Sequence, residues 1–193
     1  MGSNSGEELQ VDEESTALGL QKRDPETWAE VYDEYFSRVY RYIALRVGDK
    51  TEAEDLAGQV FLKAFESISS FKWRGVPVSA WLFRIAHNQV IDYRRMSKAK
   101  FQLPLEEFLA GSDMDPVLEA ERSMDIRQVV QAVGQLTQAQ QEVIELRFAG
   151  ELSTAEVANV LGKSQGAVKV LQHSALVALR KRFSAEKSHE EEL

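Results

Sequence analysis

Ser153–Phe183, STAEVANVLGKSQGAVKVLQHSALVALRKRF, decides the fold. Ser153 and Glu156 make an S-x-x-E capping box, in which each side chain satisfies the other residue's backbone amide, so a helix is predicted from Thr154. Val157, Ala158 and Leu161 form its inner face. Gly162 follows, where the chain must turn through positive φ, and glycine does this without strain. Ser164 caps a second helix, which Val168 and Leu171 pack back on the first and which runs on past the unit. Ala158 is small where that helix crosses closely. Gln165, Lys169 and Gln172 are left facing outward. Amides suit adenine edges and Lys suits guanine, so the pair reads as a helix-turn-helix whose second helix enters DNA. An ordinary packed helix pair is the plain alternative. The joint placement of the alanine, the glycine and the apolar positions favours the DNA-binding unit.

The chain has 193 residues, 44% of them apolar, enough for one large or two small domains. It has no cysteine, which excludes disulfides, thiolate zinc sites and thiol nucleophiles. His87, His173 and His189 stand far apart, in no ligand-spaced motif. No cofactor or metal is expected. No signal peptide or membrane-length apolar run is present, so a cytoplasmic protein is expected. The net charge of −8 runs against a DNA-binding role. Its distribution removes the difficulty: residues 122–185 are net +3, while residues 1–23, 97–121 and 186–193 are net −3, −4 and −3. A basic unit on an acidic chain implies modest intrinsic affinity for DNA and a larger partner that supplies the rest.

All-α architecture is predicted, as two small helical domains joined by an acidic linker, the second containing the helix-turn-helix. Residues 1–23 read as a disordered acidic tail. In the first domain, residues 24–96, Asp24-Pro25 starts a helix. Its stripe of Trp28, Val31, Tyr32, Tyr35, Val39, Tyr42 and Ile43 is core, and Gly48 ends it. Thr51 with Glu54 suggests a capping box for the next helix, whose buried face is Ala53, Leu56, Val60, Phe61 and Ala64. Ser69–Ser79, with Gly75 and Pro77, is a loop, and a third helix runs from about Ala80 to Met96. Residues 97–121 form the linker. The second domain, residues 122–185, opens with a stripe of Ile126, Val129, Val130, Val133 and Leu136. A further helix, capped by Thr137-x-x-Gln140, leads into the helix-turn-helix. Residues 186–193 are a charged, frayed tail.

Two groups in the first domain go beyond packing. Asp55, Gln59, Leu62 and Glu66 share the outer face of their helix, as in a protein contact, although a solvated face with one stray Leu explains them as well. Phe71, Lys72, Trp73 and Arg74 interleave aromatics with bases, and Arg84, Asn88 and Arg95 continue as a polar stripe. Aromatic rings stack unpaired bases and cations hold phosphates. Equally, Phe71 and Trp73 could pin the loop to the core. Trp81 reads as core.

EAEDLAGQVFLKAF from Glu52, AWLFRIAHNQVIDYRR from Ala80 and AVKVLQHSALVALRKR from Ala167 resemble, in order and spacing, an extracytoplasmic-function (ECF) sigma factor of bacterial RNA polymerase. The resemblance covers about residues 26–96 and 122–183, as sigma regions 2 and 4. It implies a promoter-recognition factor, not an enzyme, with core RNA polymerase and promoter DNA as partners. An anti-sigma factor is a further candidate partner. Region 2 would dock on the clamp of the largest polymerase subunit through Asp55, Gln59, Leu62 and Glu66. It would read and melt the minus-ten element through Phe71, Lys72, Trp73, Arg74, Arg84, Asn88 and Arg95. Region 4 would read the minus-thirty-five element through Ser164, Gln165, Lys169, Gln172 and His173 and sit on the flap of the second-largest subunit. The chain departs from the family pattern at Gly58 and Gln59, where Gln and an acid are usual, and at Ser174, where Arg is common. The rival readings are a two-domain helix-turn-helix regulator acting alone and an enzyme that uses the carboxylates. No acid, base and nucleophile converge in motif form for the enzyme.

Overall fold

Asp24 begins the first domain's central helix by accepting from the Thr27 amide (2.9 Å) and hydroxyl (2.7 Å). These bonds hold its carboxyl below the usual range. In a computed structural model that describes residues 5–71, 75–97 and 128–190, the chain is helical throughout, with no strand among the described residues. The helices are α1 (Ser5–Gln21), α2 (Pro25–Val47), α3 (Lys50–Ser67), α4 (Val78–Ser97), α5 (residues 128–134), α6 (Gln138–Phe148), α7 (Thr154–Leu161) and α8 (Gln165–Glu190). A 3-10 turn over Ile68–Ser70 follows α3.

Several caps fall where the sequence puts them. Pro25 opens α2, and Gly48 ends it at φ 83°. Thr137 with Gln140 and Ser153 with Glu156 form complete capping boxes on α6 and α7. Gly162 takes φ 62°, and Ser164 accepts from the Ala167 amide at 3.1 Å. One start differs. Asp49, not Thr51, caps α3 by accepting from the Glu52 amide. The chain leaving Gly48 is already extended at Asp49 (φ −124°, ψ 131°), so this carboxylate reaches the first turn before Thr51 can.

α2, α3 and α4 pack on one another. Val39, Tyr42, Ile43, Val60, Leu82, Phe83 and Val90 lie at the centre of their core. Tyr32 departs from the expected stripe. It is 43% exposed, stacks on Phe36 and meets Phe61 at a tilt. The N-terminal segment departs further, since residues 5–21 form the helix α1, with Ala17 and Leu20 buried. Trp28 Nε1 donates to the Leu20 carbonyl at 3.2 Å. A Cβ on Gly19 would come within 2.4 Å of Thr27 Oγ1, so glycine lets the two helices close there. The stripe holding α1 is too short to show through its acidic composition.

α6, α7 and α8 form the second domain, with Ala132, Leu136, Ile144, Ala175 and Leu179 packed as a small cluster of their own. Val129, expected in this stripe, is exposed, and Ile126 and the linker apart from Ser97 lie outside the described residues. α8 continues to Glu190 rather than fraying after Ala185. The two domains share one apolar core. α7 packs on α4, and Val157, Ala158, Val160 and Val168 join the cluster that holds Val78, Ala80 and Phe83.

Gly150 marks how close this approach is. A Cβ there would lie 2.8 Å from the Leu146 carbonyl oxygen and 2.8 Å from Cε1 of Phe83 in the first domain. Overpacking of this kind costs about 1–3 kcal/mol. Gly150→Ala should therefore part the domains, read as an increased radius of gyration by small-angle scattering, with helix content unchanged.

Candidate functional site

The domain interface carries a buried polar network. Arg46 ends the apolar stripe of α2 and is almost wholly buried. Its Nη1 donates to the Tyr42 hydroxyl (2.8 Å), which lies 2.9 Å from His87 Nδ1 on α4. Its Nε lies 2.9 Å from a Glu145 carboxylate oxygen on α6, as an ion contact rather than an aligned hydrogen bond, and Nη2 is 4.0 Å from Glu142. Burial pulls the guanidinium down, but Tyr42, Glu145 and Glu142 together hold it above its ordinary value. Burial pushes Glu145 up to about 7 against the pull of Arg46 and Arg94. Burial, then Arg46, lowers His87, which favours the neutral ring in its hydrogen bond with the Tyr42 hydroxyl.

Three further ties surround this network. Arg38 donates through Nε and Nη2 to the Gly150 carbonyl (3.1 and 2.9 Å), and Arg41 pairs with Glu151. The Ser79 hydroxyl at the start of α4 donates to Glu156, the residue that completes the α7 capping box.

Gln165, Lys169 and His173 are exposed along α8, and Ser164 is engaged as its cap. Gln172 is half-buried and accepts from Arg147 Nε at 3.2 Å, so it is tied to α6 rather than free on the outer face. Ser174 faces inward, accepting from Gln140 at 3.0 Å. On α4, Arg84, Asn88 and Arg95 are exposed, Arg95 pairing with Asp92 at 3.1 Å. Phe71 requires a correction, because it is 8% exposed and its ring packs on half-buried Trp81 at 4.6 Å. It pins the chain to α4 and does not present a face to a base. Lys72, Trp73 and Arg74 lie outside the described residues. A cavity of about 390 Å3 lies between the domains, lined by Phe71, Val76, Ala80, Trp81 and Arg84 from one and by Ala158, Asn159, Gly162 and Lys163 from the other. Asp55, Gln59, Leu62 and Glu66 all lie exposed on α3, with Leu62 at 57%. Phe65, beside them, is also exposed and packs edge-on against Trp28.

The Sigma-70 region 2 family model matches residues 31–100, and the Sigma-70 region 4 model matches residues 132–181. The chain is 31% identical over 176 residues to the ECF RNA polymerase sigma factor SigW of Bacillus subtilis, covering 85% of this chain and 92% of that protein. It belongs to the ECF sigma factors. It is also 38% identical over 164 residues to the ECF RNA polymerase sigma factor BldN of Streptomyces coelicolor, covering 82% of this chain but spanning only 61% of that relative. Among solved structures, CnrH in complex with the cytosolic domain of CnrY aligns with a TM-score of 0.69 at 22% identity, over 90% of this chain and 97% of that one. RpoE in complex with the anti-sigma factor NepR from Bartonella quintana aligns with a TM-score of 0.62 at 20% identity, over 81% and 96%. These two share the fold.

As an alternative sigma factor, the protein has promoter recognition as its function, and α7 and α8 are the helix-turn-helix of region 4. The interface residues of this sigma factor were not foreseen. A signal was present: Arg46 continues the Val39, Tyr42, Ile43 stripe, and Glu145 interrupts Val143, Ile144 and Leu146. An opposite charge on each of two apolar faces marks a buried pair.

The network gives the closed arrangement a pH dependence. Glu145 binds its proton more tightly when buried, so its contribution to closure is complete below about pH 4.5 and is lost as pH rises through about 7. His87 is shifted down and acts oppositely, but its contribution is already complete above about 6.5. Between about pH 6.5 and 8 the domains should therefore loosen, as read by energy transfer between dyes on α3 and α8. Glu145→Gln should flatten that slope.

Proposed function

We propose that this sigma factor docks on core RNA polymerase through α3, reads the minus-thirty-five element with α8, and captures and melts the minus-ten element beside α4. The observation that carries this reading is α8: a capped recognition helix with Gln165, Lys169 and His173 exposed along it. Arg84, Asn88 and Arg95 supply phosphate and base contacts on α4, and Lys72, Trp73 and Arg74 stack and hold an unpaired base. Asp55, Gln59, Leu62 and Glu66 meet the polymerase clamp, and the second domain rests on the flap. The acidic linker occupies the polymerase cleft, and the protein works in the cytoplasm. No helix among the described residues is long and apolar enough to cross a membrane.

This role requires the domains to separate. The minus-ten and minus-thirty-five elements lie about 25 base pairs apart, or about 85 Å of B-form DNA. With α7 packed on α4, the two readers cannot both be placed on one promoter. Core polymerase, by holding the domains apart at its clamp and flap, favours the open form and turns two weak contacts into one selective one. Free chain then binds promoters poorly.

Three substitutions test the assignment. Asp55→Lys with Leu62→Ala should weaken core binding at least tenfold while leaving the melting temperature nearly unchanged, because both side chains are exposed. Wild-type core affinity would remove α3 from the clamp. Lys169→Ala should relax discrimination at one or two minus-thirty-five positions by about 1–3 kcal/mol in competition binding, and opening of an already bound promoter should not change.

A further inference from the structure

α4 begins without a local side-chain cap. The Pro77 carbonyl accepts the first helical hydrogen bond, from the Trp81 amide at 3.2 Å, which makes Pro77 the cap residue. Its ring has no acceptor to offer the free amides of the first turn. Glu13 of α1 fills the place from 65 positions away, accepting from the Val78 amide at 2.9 Å. A carboxylate suits this end of a helix dipole. Eight residues further along α1, the Gln21 side chain donates to the Phe71 carbonyl at 2.6 Å. α1 thus grips the chain where it leaves the 3-10 turn and where it enters α4. Phe71 in turn packs on Trp81, and Arg84 stands one turn beyond. α1 is itself anchored to α2 by Ala17, Leu20 and the Trp28 bond to Leu20.

We propose that α1 is a remote clasp that sets the register of the DNA-facing surface of α4, with Glu13 and Gln21 as positioning residues for minus-ten recognition. The proposal rests on the assignment of α4 to the minus-ten element. Neither residue touches DNA. They act by fixing where Trp81 and Arg84 stand when the melted strand arrives, and geometry held in advance lowers the ordering cost of recognition.

Full-length protein with core polymerase provides the test, using permanganate footprinting on a matched promoter and on minus-ten variants. Glu13→Ala and Gln21→Ala should each slow opening of the matched promoter and flatten its preference over the variants by about fivefold. Core affinity and minus-thirty-five discrimination should stay at wild type. Glu13→Gln retains an acceptor oxygen at the same reach and should restore most of the preference, which a role in stability alone would not require. Circular dichroism confirms that each variant is folded. Unchanged minus-ten preference in both alanine variants overturns the clasp. Arg84→Ala separates that failure from failure of the underlying assignment: if it leaves minus-ten preference intact, both are overturned. If Arg84→Ala lowers the preference and the two α1 variants do not, only the clasp falls.

Discussion

Arg46 cannot be buried alone. A guanidinium taken out of water demands compensating charge, and among its described residues the first domain offers it the Tyr42 hydroxyl, itself bonded to His87. The carboxylates it needs, Glu145 and Glu142, sit on the second domain. Each domain therefore leaves a charge uncompensated unless the other is present. Burial opposes the Glu145 charge more strongly than Arg46 favours it, so the intact pair contributes little net stability. The network thus specifies which faces meet. The apolar contact of α7 with α4 supplies area, and the polar contact supplies register.

On the proposed role the domains come apart to work, and a joint of this kind suits that. Apolar area alone would hold the domains without regard to conditions. Here, opening lets water reach Arg46, Glu145 and His87, so much of the polar cost of separation is recovered by solvation. Glu145, held near 7 by burial, regains an ordinary carboxylate environment once exposed. The surface freed includes the α4 side of the interdomain cavity, with Arg84 and Trp81, and the helix-turn-helix side, with Asn159 and Lys163. On the proposed assignment, what closes the molecule is next to what would read the promoter.

The helix-turn-helix was legible almost residue by residue, because caps and left-handed turns are local: Ser153, Glu156 and Ser164 accept from amides three positions away, and the Gly162 amide donates to the Ala158 carbonyl four back. The buried face of α3 was legible because its apolar spacing has one period. Tyr32 was not, since an aromatic at the edge of a wide stripe packs as well at the rim as in the core. Phe71 was misread for a related reason: interleaved aromatic and basic residues look the same whether the ring stacks on a base or on Trp81. α1 escaped because, among its described side chains from Glu13 onward, the buried apolar ones are Ala17 and Leu20, too few to make a visible stripe. The domain interface escaped because its partners, Arg46 with Glu145 and Ser79 with Glu156, are 77 or more positions apart, and no local rule joins them.

If the closed arrangement excludes promoter opening and core polymerase acts on the open form, joining the two domains must block initiation. The chain has no cysteine, so a pair introduced by Ser79→Cys and Glu156→Cys can be joined by a short, reducible thiol cross-linker without competing sites. The measurement is promoter opening by core polymerase carrying the cross-linked protein, before and after reduction. The account predicts no opening while the link is intact and recovery to the level of the untreated double variant once it is cut. Equal opening by the linked and reduced forms would contradict it.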